Sequence, residues 1–254
     1  SKCLIEYAKL LGLRLKDYNG ALRTLNDVLA ETPNHEVALE LLAQLFEQCD
    51  ESEWTTRLRS ALIDGYKGAE LWDRLITFLQ DELLEETDPG GKARILREIA
   101  EVKSTHLKDA SAAVDALLAA FNAAPSLEFT EQIEEAAEDV ADWERILQAY
   151  KEIRESDGDE SLTELAYRMG DILNLKLQRP KDAASHYQEG LDFEFPAEES
   201  LMARVESLFR QLEDTKGLAT YLEGHLKSGL EGKKRIDSLK EVSELLFRTL
   251  GRED

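Results

Sequence analysis

The chain has 254 residues and a formal charge of −22, with 53 acidic against 31 basic side chains. Nucleic-acid binding depends on basic side chains that displace counterions, so this balance argues against a nucleic-acid partner and against anionic membrane surfaces. A basic or mixed-charge protein or peptide is the natural complement, and the same charge also keeps a repeat protein in solution. With only five prolines and fourteen glycines, and with Ala, Leu, Glu, Lys and Arg dominant, the composition predicts an all-α fold. Cys3 and Cys49 are too few for a disulfide framework, which points to a reducing, cytoplasmic compartment. No basic-then-apolar leader opens the chain. Its longest apolar runs, such as residues 116–121, are too short to span a bilayer, so no direct membrane contact is expected.

In chain order, residues 2–15 form a helix with Leu4, Tyr7, Ala8 and Leu11 on one face, broken at Lys16-Asp17. Residues 18–31 form its partner through Ala21, Leu25 and Val28, closed by Thr32-Pro33. Residues 35–49 place Leu39, Leu42, Ala43 and Phe46 inward. A short helix follows over residues 54–66, then one from Trp72 to Glu86 through Leu75, Phe78 and Leu79, and Asp88-Pro89-Gly90-Gly91 forces a turn. Residues 96–125 form a helical hairpin in which Leu96, Ile99 and Ala100 lead one helix. Ala113, Leu117 and Ala120 lead the other, and Pro125 stops it. An acidic helix over 129–141 turns Ile133, Ala136, Ala137 and Val140 inward. Trp143, Ile146, Leu147 and Tyr150 build the next, which ends in a polar loop at 156–159. Residues 160–178 carry Leu162, Leu165, Ala166 and Met169, and the partner after Arg179-Pro180 carries Ala183, Tyr187 and Gly190 before Pro196. Residues 198–212 use Val205, Leu208, Phe209 and Leu212. Leu218, Tyr221 and Leu222 follow, and residues 233–251 finish with Leu239, Val242, Ser243, Leu246 and Leu250.

Landmarks make the repetition quantitative. Pro33, Pro125 and Pro196 lie 92 and 71 residues apart, Trp72 and Trp143 lie 71 apart, and Leu15, Leu107, Leu177 and Leu250 step by 92, 70 and 73. A unit of about 71 residues therefore recurs, with an insert of 21 in the first copy, assigned to the helix over 54–66. The expected units are 1–88, 89–156, 157–229 and an incomplete 230–254. The chain is expected to be a piece of a longer repeat protein. The wide apolar stripe of its final helix is expected to be covered by further chain or by self-association.

First helices share one pattern: Leu4/Tyr7/Ala8, Leu96/Ile99/Ala100, Leu162/Leu165/Ala166 and Leu239/Val242/Ser243. Third helices echo it as Leu39/Leu42/Ala43, Ile133/Ala136/Ala137 and Val205/Leu208/Phe209. Together with Ala113/Leu117/Ala120/Pro125 and Ala183/Tyr187/Gly190/Pro196, these motifs resemble degenerate copies of the tetratricopeptide repeat (TPR). The first helices are mostly aliphatic where that family carries an aromatic pair. The resemblance implies a right-handed α-solenoid of antiparallel hairpins, about 14 helices in all, and a protein-binding role through a concave groove. It also implies which residues face that groove: Glu40 and Gln44, Arg97 and Glu101, Glu134 and Glu138, Thr163 and Tyr167, Glu206 and Arg210, and Lys240 and Glu244. Members of the family that clamp a chaperone's terminal carboxylate use Lys and Asn there, an arrangement missing here.

Catalytic and metal chemistry find little footing. His35, His106, His186 and His225 are scattered, without the spacing of a ligand pair, and the two cysteines are far apart. Glu131, Glu134, Glu135, Glu138, Asp139 and Asp142 are spaced as a solvated helix face rather than as a cation site. Gly90-Gly91-Lys92-Ala93 lacks the first Gly and the Ser/Thr of a phosphate loop. The three tryptophans, each at a helix start, are assigned to packing. No cofactor and no metal are expected. The leading reading is a non-catalytic protein-interaction scaffold with an acidic groove, with a structural spacer as the alternative and a helical-repeat enzyme subunit the least supported.

Overall fold

A computed structural model describes residues 2–157, 163–193, 198–228 and 232–250. Within those helices it leaves out the side chains of 156–157, 163, 193, 232–234, 246 and 248–250. The readings placed on Leu162, Pro196, Leu246, Leu250 and most of the 156–159 loop therefore fall outside what is described. The fold is all-α, as expected, with 14 α-helices and no strand among the described residues. The chain divides into two compact units, Ser1–Ala116 and Leu117–Asp254.

In the first unit α1 (Lys2–Lys9) runs on into a π-helical turn (Leu10–Arg14). It is followed by α2 (Tyr18–Glu31), α3 (Glu36–Glu47), α4 (Ser52–Gly68), α5 (Trp72–Glu85) and α6 (Pro89–Thr105). Neighbours in sequence pack as hairpins, α1 on α2, α3 on α4 and α5 on α6, and α2 also packs on α3 and α4. Leu25, Leu39, Leu42, Leu45, Leu58, Leu62 and Leu75 are completely buried between them. Each helix thus buries its apolar stripe against its nearest neighbours, the local stacking expected of repeat proteins. The helix expected over residues 54–66 is present as α4, longer than expected at 17 residues. The helix α7 (Ala110–Ala123) begins in this unit and ends in the next, and the crossing residues Ala113 and Ala120 are wholly buried.

The second unit continues with α8 (Leu127–Val140), α9 (Trp143–Asp157) and α10 (Thr163–Asp171), which again runs into a π-helical turn (Ile172–Lys176). Then come α11 (Pro180–Phe193), α12 (Glu199–Gln211), α13 (Thr215–Lys227) and α14 (Gly232–Leu250). Here α10 packs on α11, α12 on α13 and α13 on α14, while α11 also touches α12 and α13.

The breaks between helices share one chemistry. Six non-glycine residues adopt left-handed backbone, with φ from 53° to 56°: Lys16, Glu70, Lys108, Ala141, Gln178 and Glu213. Each ends a helix, and amides just past the helix return to its last carbonyls: Asp17 N–H to Leu11, Asp109 N–H to Lys103, Arg179 N–H to Leu173, Asp214 N–H to Phe209. These bonds offset the roughly 1–2 kcal/mol cost of a left-handed L-residue. Three of the breaks then open the next helix with an aspartate cap, on which Gly20, Ala112 and Gly217 donate their amides to Asp17, Asp109 and Asp214. The left-handed residues fall into two series, 16, 108, 178 and 70, 141, 213, stepping by 92 and 70 and by 71 and 72. The period and the insert are therefore written into the backbone.

Some faces differ from the sequence reading. Leu4 and Tyr7 are 43% and 54% exposed, whereas Ile5, Ala8, Leu11 and Gly12 are buried. The inward face of α1 lies one residue round from the expected stripe, because Gly12 sits against Leu45 and draws that side toward α3. Leu239 is 49% exposed and Ser243 exposed, so of that triplet only Val242 is inside. Residues 2–15 and 160–178 are also not single α-helices, since both end in π turns.

The α10/α11 hairpin shows how closely its helices approach. A Cβ on Gly170 would lie 2.4 Å from the Tyr187 ring, and one on Gly190 would lie 2.8 Å from the Tyr167 ring. Each helix thus lays a tyrosine over a glycine of the other. Gly170→Ala gains about 1 kcal/mol of helix propensity but forces a rigid ring aside, an overpacking cost of about 1–3 kcal/mol. The expected outcome is a lower Tm, measured by circular dichroism, and a raised Tm would contradict the packing.

Candidate functional site

In the first unit, Glu40 and Gln44 lie exposed on α3, and Arg97 and Glu101 lie exposed on α6. In the second unit four of the eight groove residues, Glu134, Glu138, Glu206 and Arg210, are already engaged. Glu134 on α8 accepts from the Tyr150 hydroxyl of α9 at 3.3 Å and from Arg168 of α10 at 3.3 Å. Arg168 also reaches Glu131 at 3.4 Å and Glu164 at 3.0 Å, and Tyr150 donates as well to the Thr130 carbonyl. Glu138 pairs with Lys176, whose ammonium lies 4.8 Å over the Trp143 ring. Glu206 and Arg210 pair within α12, and Arg210 spans to Glu241 on α14. Lys240 and Glu244 are exposed on α14, and the Thr163 side chain is outside those described. Tyr167 corrects the expectation outright. It is 4% exposed, because its ring lies on Gly190, and it cannot line a groove.

Tyr187, read from the sequence as a packing residue, and Asp171 and Arg204, which that reading passed over, complete a second joint. Asp171 on α10 accepts from the Tyr187 hydroxyl of α11 at 2.5 Å. It also takes a two-pronged bond from Arg204 of α12, at 3.2 Å from Nε and 2.8 Å from Nη2. The joint at Glu134 has the same parts: a carboxylate on one helix, a tyrosine on the next and an arginine on the one after. Glu134, Asp171 and Glu206 step by 37 and 35 residues, Tyr150, Tyr187 and Tyr221 by 37 and 34, and Arg168 and Arg204 by 36. That spacing was the available signal, and it is hidden by the switch between Glu and Asp.

The electrostatics follow from burial. Burial, then the adjoining Glu134 and Asp171 carboxylates, push the Tyr150 and Tyr187 phenols far above their usual range, so both stay protonated donors. Tyr221, buried near Glu206, is pushed up to about 12. Burial also raises the Glu134 carboxyl, against the pull of Arg168. Glu241 is lowered, chiefly by its bond to Arg210. Asp142 pairs with Arg145 at 3.5 Å, so four of the six carboxylates once considered as a cation site, Glu131, Glu134, Glu138 and Asp142, are held by cations of the chain itself. No group of three or more potential metal ligands occurs among the described residues.

The first unit has a different arrangement. A cleft of about 840 Å³ opens between α3, α4, α5 and the start of α6. Arg59 crosses its floor, with Nε 2.8 Å from Glu82 and Nη2 2.9 Å from Glu98. Arg94 holds the other oxygen of Glu98 at 3.0 Å. Burial opposes the charge on Arg59 and Glu82, and their mutual bonds keep the pair together. Elsewhere in this unit the Trp72 ring stacks on His106 at 3.6 Å, and Trp54 lies 6.1 Å from Tyr18, which bears out packing roles for both tryptophans.

These joints differ in how much water they see. Arg168 and Glu134 side chains are 18% and 29% exposed, against 46% and 65% for the pair Arg74–Glu36. Arg168→Met strands a half-buried carboxylate and should cost about 1–3 kcal/mol, while Arg74→Met should cost under about 1 kcal/mol. Urea melts of both variants check this, and equal losses would contradict it.

No family model matches the sequence, and no curated protein matches it. Among solved structures the chain is similar to the TPR2AB-domain:pHSP90 complex of yeast Sti1, with 10% identity over 98% of this chain and 99% of that one. The TM-score of 0.34 is too low to establish a common topology or to transfer a ligand. No described helix is long and apolar enough to cross a membrane.

Proposed function

We propose that the chain is a non-catalytic, TPR-like protein-interaction scaffold that takes a basic or mixed-charge protein segment on its acidic surface. One observation carries the reading. Of the most perturbed ionisable groups, Tyr150, Tyr187 and Arg210 tie helices together and Tyr221 is raised mainly by burial beside Glu206, while Glu134 and Glu82, whose carboxyls burial raises, are each bonded to an arginine of another helix. Perturbed groups at a reactive centre converge on a cleft where a substrate fits, whereas these are spread over separate helix-to-helix contacts, and Glu82, which does line a cleft, is bonded to Arg59. What remains for a partner is surface charge, acidic in sum, in which Glu40, Gln44, Arg97, Glu101, Lys240 and Glu244 are exposed. Glu134, Glu138, Glu206 and Arg210 bind a partner only by giving up partners of their own. A spacer role is the second reading, supported by the same seams, which spend charge on rigidity.

The exposed Ile236, Leu239 and Phe247 on α14 support self-association through that helix. Fluorescence anisotropy with a labelled amphipathic Leu/Lys peptide and its Leu/Glu counterpart tests the main reading, with sedimentation of the same samples reporting assembly. The Leu/Lys peptide should bind at low salt and weaken steeply as salt rises. No binding of it at low salt, or equal binding of both peptides, would overturn the reading. A monomer at every concentration would remove the self-association.

A further inference from the structure

We propose that the α3–α6 cleft of the first unit is the docking site for a basic amphipathic segment of a partner protein. In this arrangement an apolar side chain seats on Phe46, Phe78 and Leu84, and flanking Lys or Arg side chains face Glu47, Asp81 and Glu85. This rests on the scaffold reading and gives it an address. The apolar part of the cleft is already built. Phe46 and Phe78 meet edge to face with centroids 5.2 Å apart, both half-buried, so part of each ring still faces water. Leu84, on the same wall, is 85% exposed, the most exposed large apolar side chain among those described. Lone exposed leucines are ordinary, but one flanking an open aromatic pair inside an 840 Å³ cleft provides a seat for an anchor side chain.

The charge selects the partner. Among the cleft-lining residues, five carboxylates, Glu47, Asp81, Glu82, Glu85 and Glu86, face two guanidiniums, Arg59 and Arg94. Both cations are committed to Glu82 and Glu98, with Arg59 only 18% exposed. Glu86 is turned to the loop, where it accepts the amides of Thr87 and Asp88. Glu47, Asp81 and Glu85 are exposed, and among the described residues no Lys, Arg or His forms an ion pair with any of them. An apolar seat with uncompensated carboxylates at its rim suits a side chain flanked by positive charge and repels an acidic segment.

Cys49, half-buried on the cleft wall, provides a reporter, and the exposed Cys3 provides an internal control. With the Leu/Lys peptide bound to the unmodified chain, alkylation of Cys49 should slow severalfold while that of Cys3 is unchanged. Leu84→Ser and Asp81→Lys should each weaken the peptide by roughly tenfold, whereas Asp27→Lys, the same charge change on the exposed face of α2, should weaken it by less than about twofold. Circular dichroism melts confirm that the variants stay folded. Peptide binding with Cys49 unprotected, or with Asp27→Lys and Asp81→Lys equal in effect, overturns the docking site and leaves the scaffold reading standing. Absence of binding by the Leu/Lys peptide overturns both.

Discussion

A carboxylate shared between a tyrosine and an arginine organises the second unit. Asp171 belongs to α10, its phenol partner Tyr187 to α11 and its guanidinium partner Arg204 to α12, so one side chain binds three consecutive helices. Its burial is what makes the bonds obligatory. A partly dehydrated carboxylate without donors costs far more than the net worth of a surface ion pair. Glu134 repeats the device one hairpin earlier, with Tyr150 and Arg168. The Tyr167–Gly190 and Tyr187–Gly170 contacts fix how α10 meets α11, and the joint adds a directional tie from α10 to α12.

The same joints decide where function can lie. A chain with 53 acidic side chains has carboxylates to spare, but those at Glu134, Glu138, Asp171 and Glu206 are matched within the second unit by Arg168, Lys176, Arg204 and Arg210. In the first unit the corresponding economy fails at the α3–α6 cleft. There Arg59 and Arg94 are both drawn to Glu98, while Glu47, Asp81 and Glu85 have no ion pair among the described residues and lie beside half-buried aromatic rings. Net charge alone does not locate a partner.

Most of the architecture was legible in the sequence, because a helical repeat writes its period into apolar spacing and helix stops. Lys16-Asp17 and Lys108-Asp109 announced breaks that prove to be a left-handed residue followed by an aspartate cap. The helix around Trp54 was recognisable, although at 17 residues it is longer than its punctuating glycines suggested. Faces at the ends were harder to read. On α1 both the Leu4/Tyr7 side and the Ile5/Ala8 side are apolar, and only contact with α3 through Gly12 and Leu45 decides between them. Tyr167 was misplaced because a tyrosine on a helix face looks the same whether it meets water or a glycine. The joints were the hardest, since each draws residues from three helices and exchanges Asp for Glu between copies.

A double-mutant cycle on Asp171 and Arg204 tests the joint most directly. Urea melts of Asp171→Ala, Arg204→Met and the double variant give the coupling between the two side chains. If Asp171 holds α10 and α12 together, the coupling is about 1–3 kcal/mol and the double variant loses much less than the sum of the singles. A coupling below about 0.3 kcal/mol, with the two losses simply adding, would show that apolar stacking alone sets the register of these hairpins.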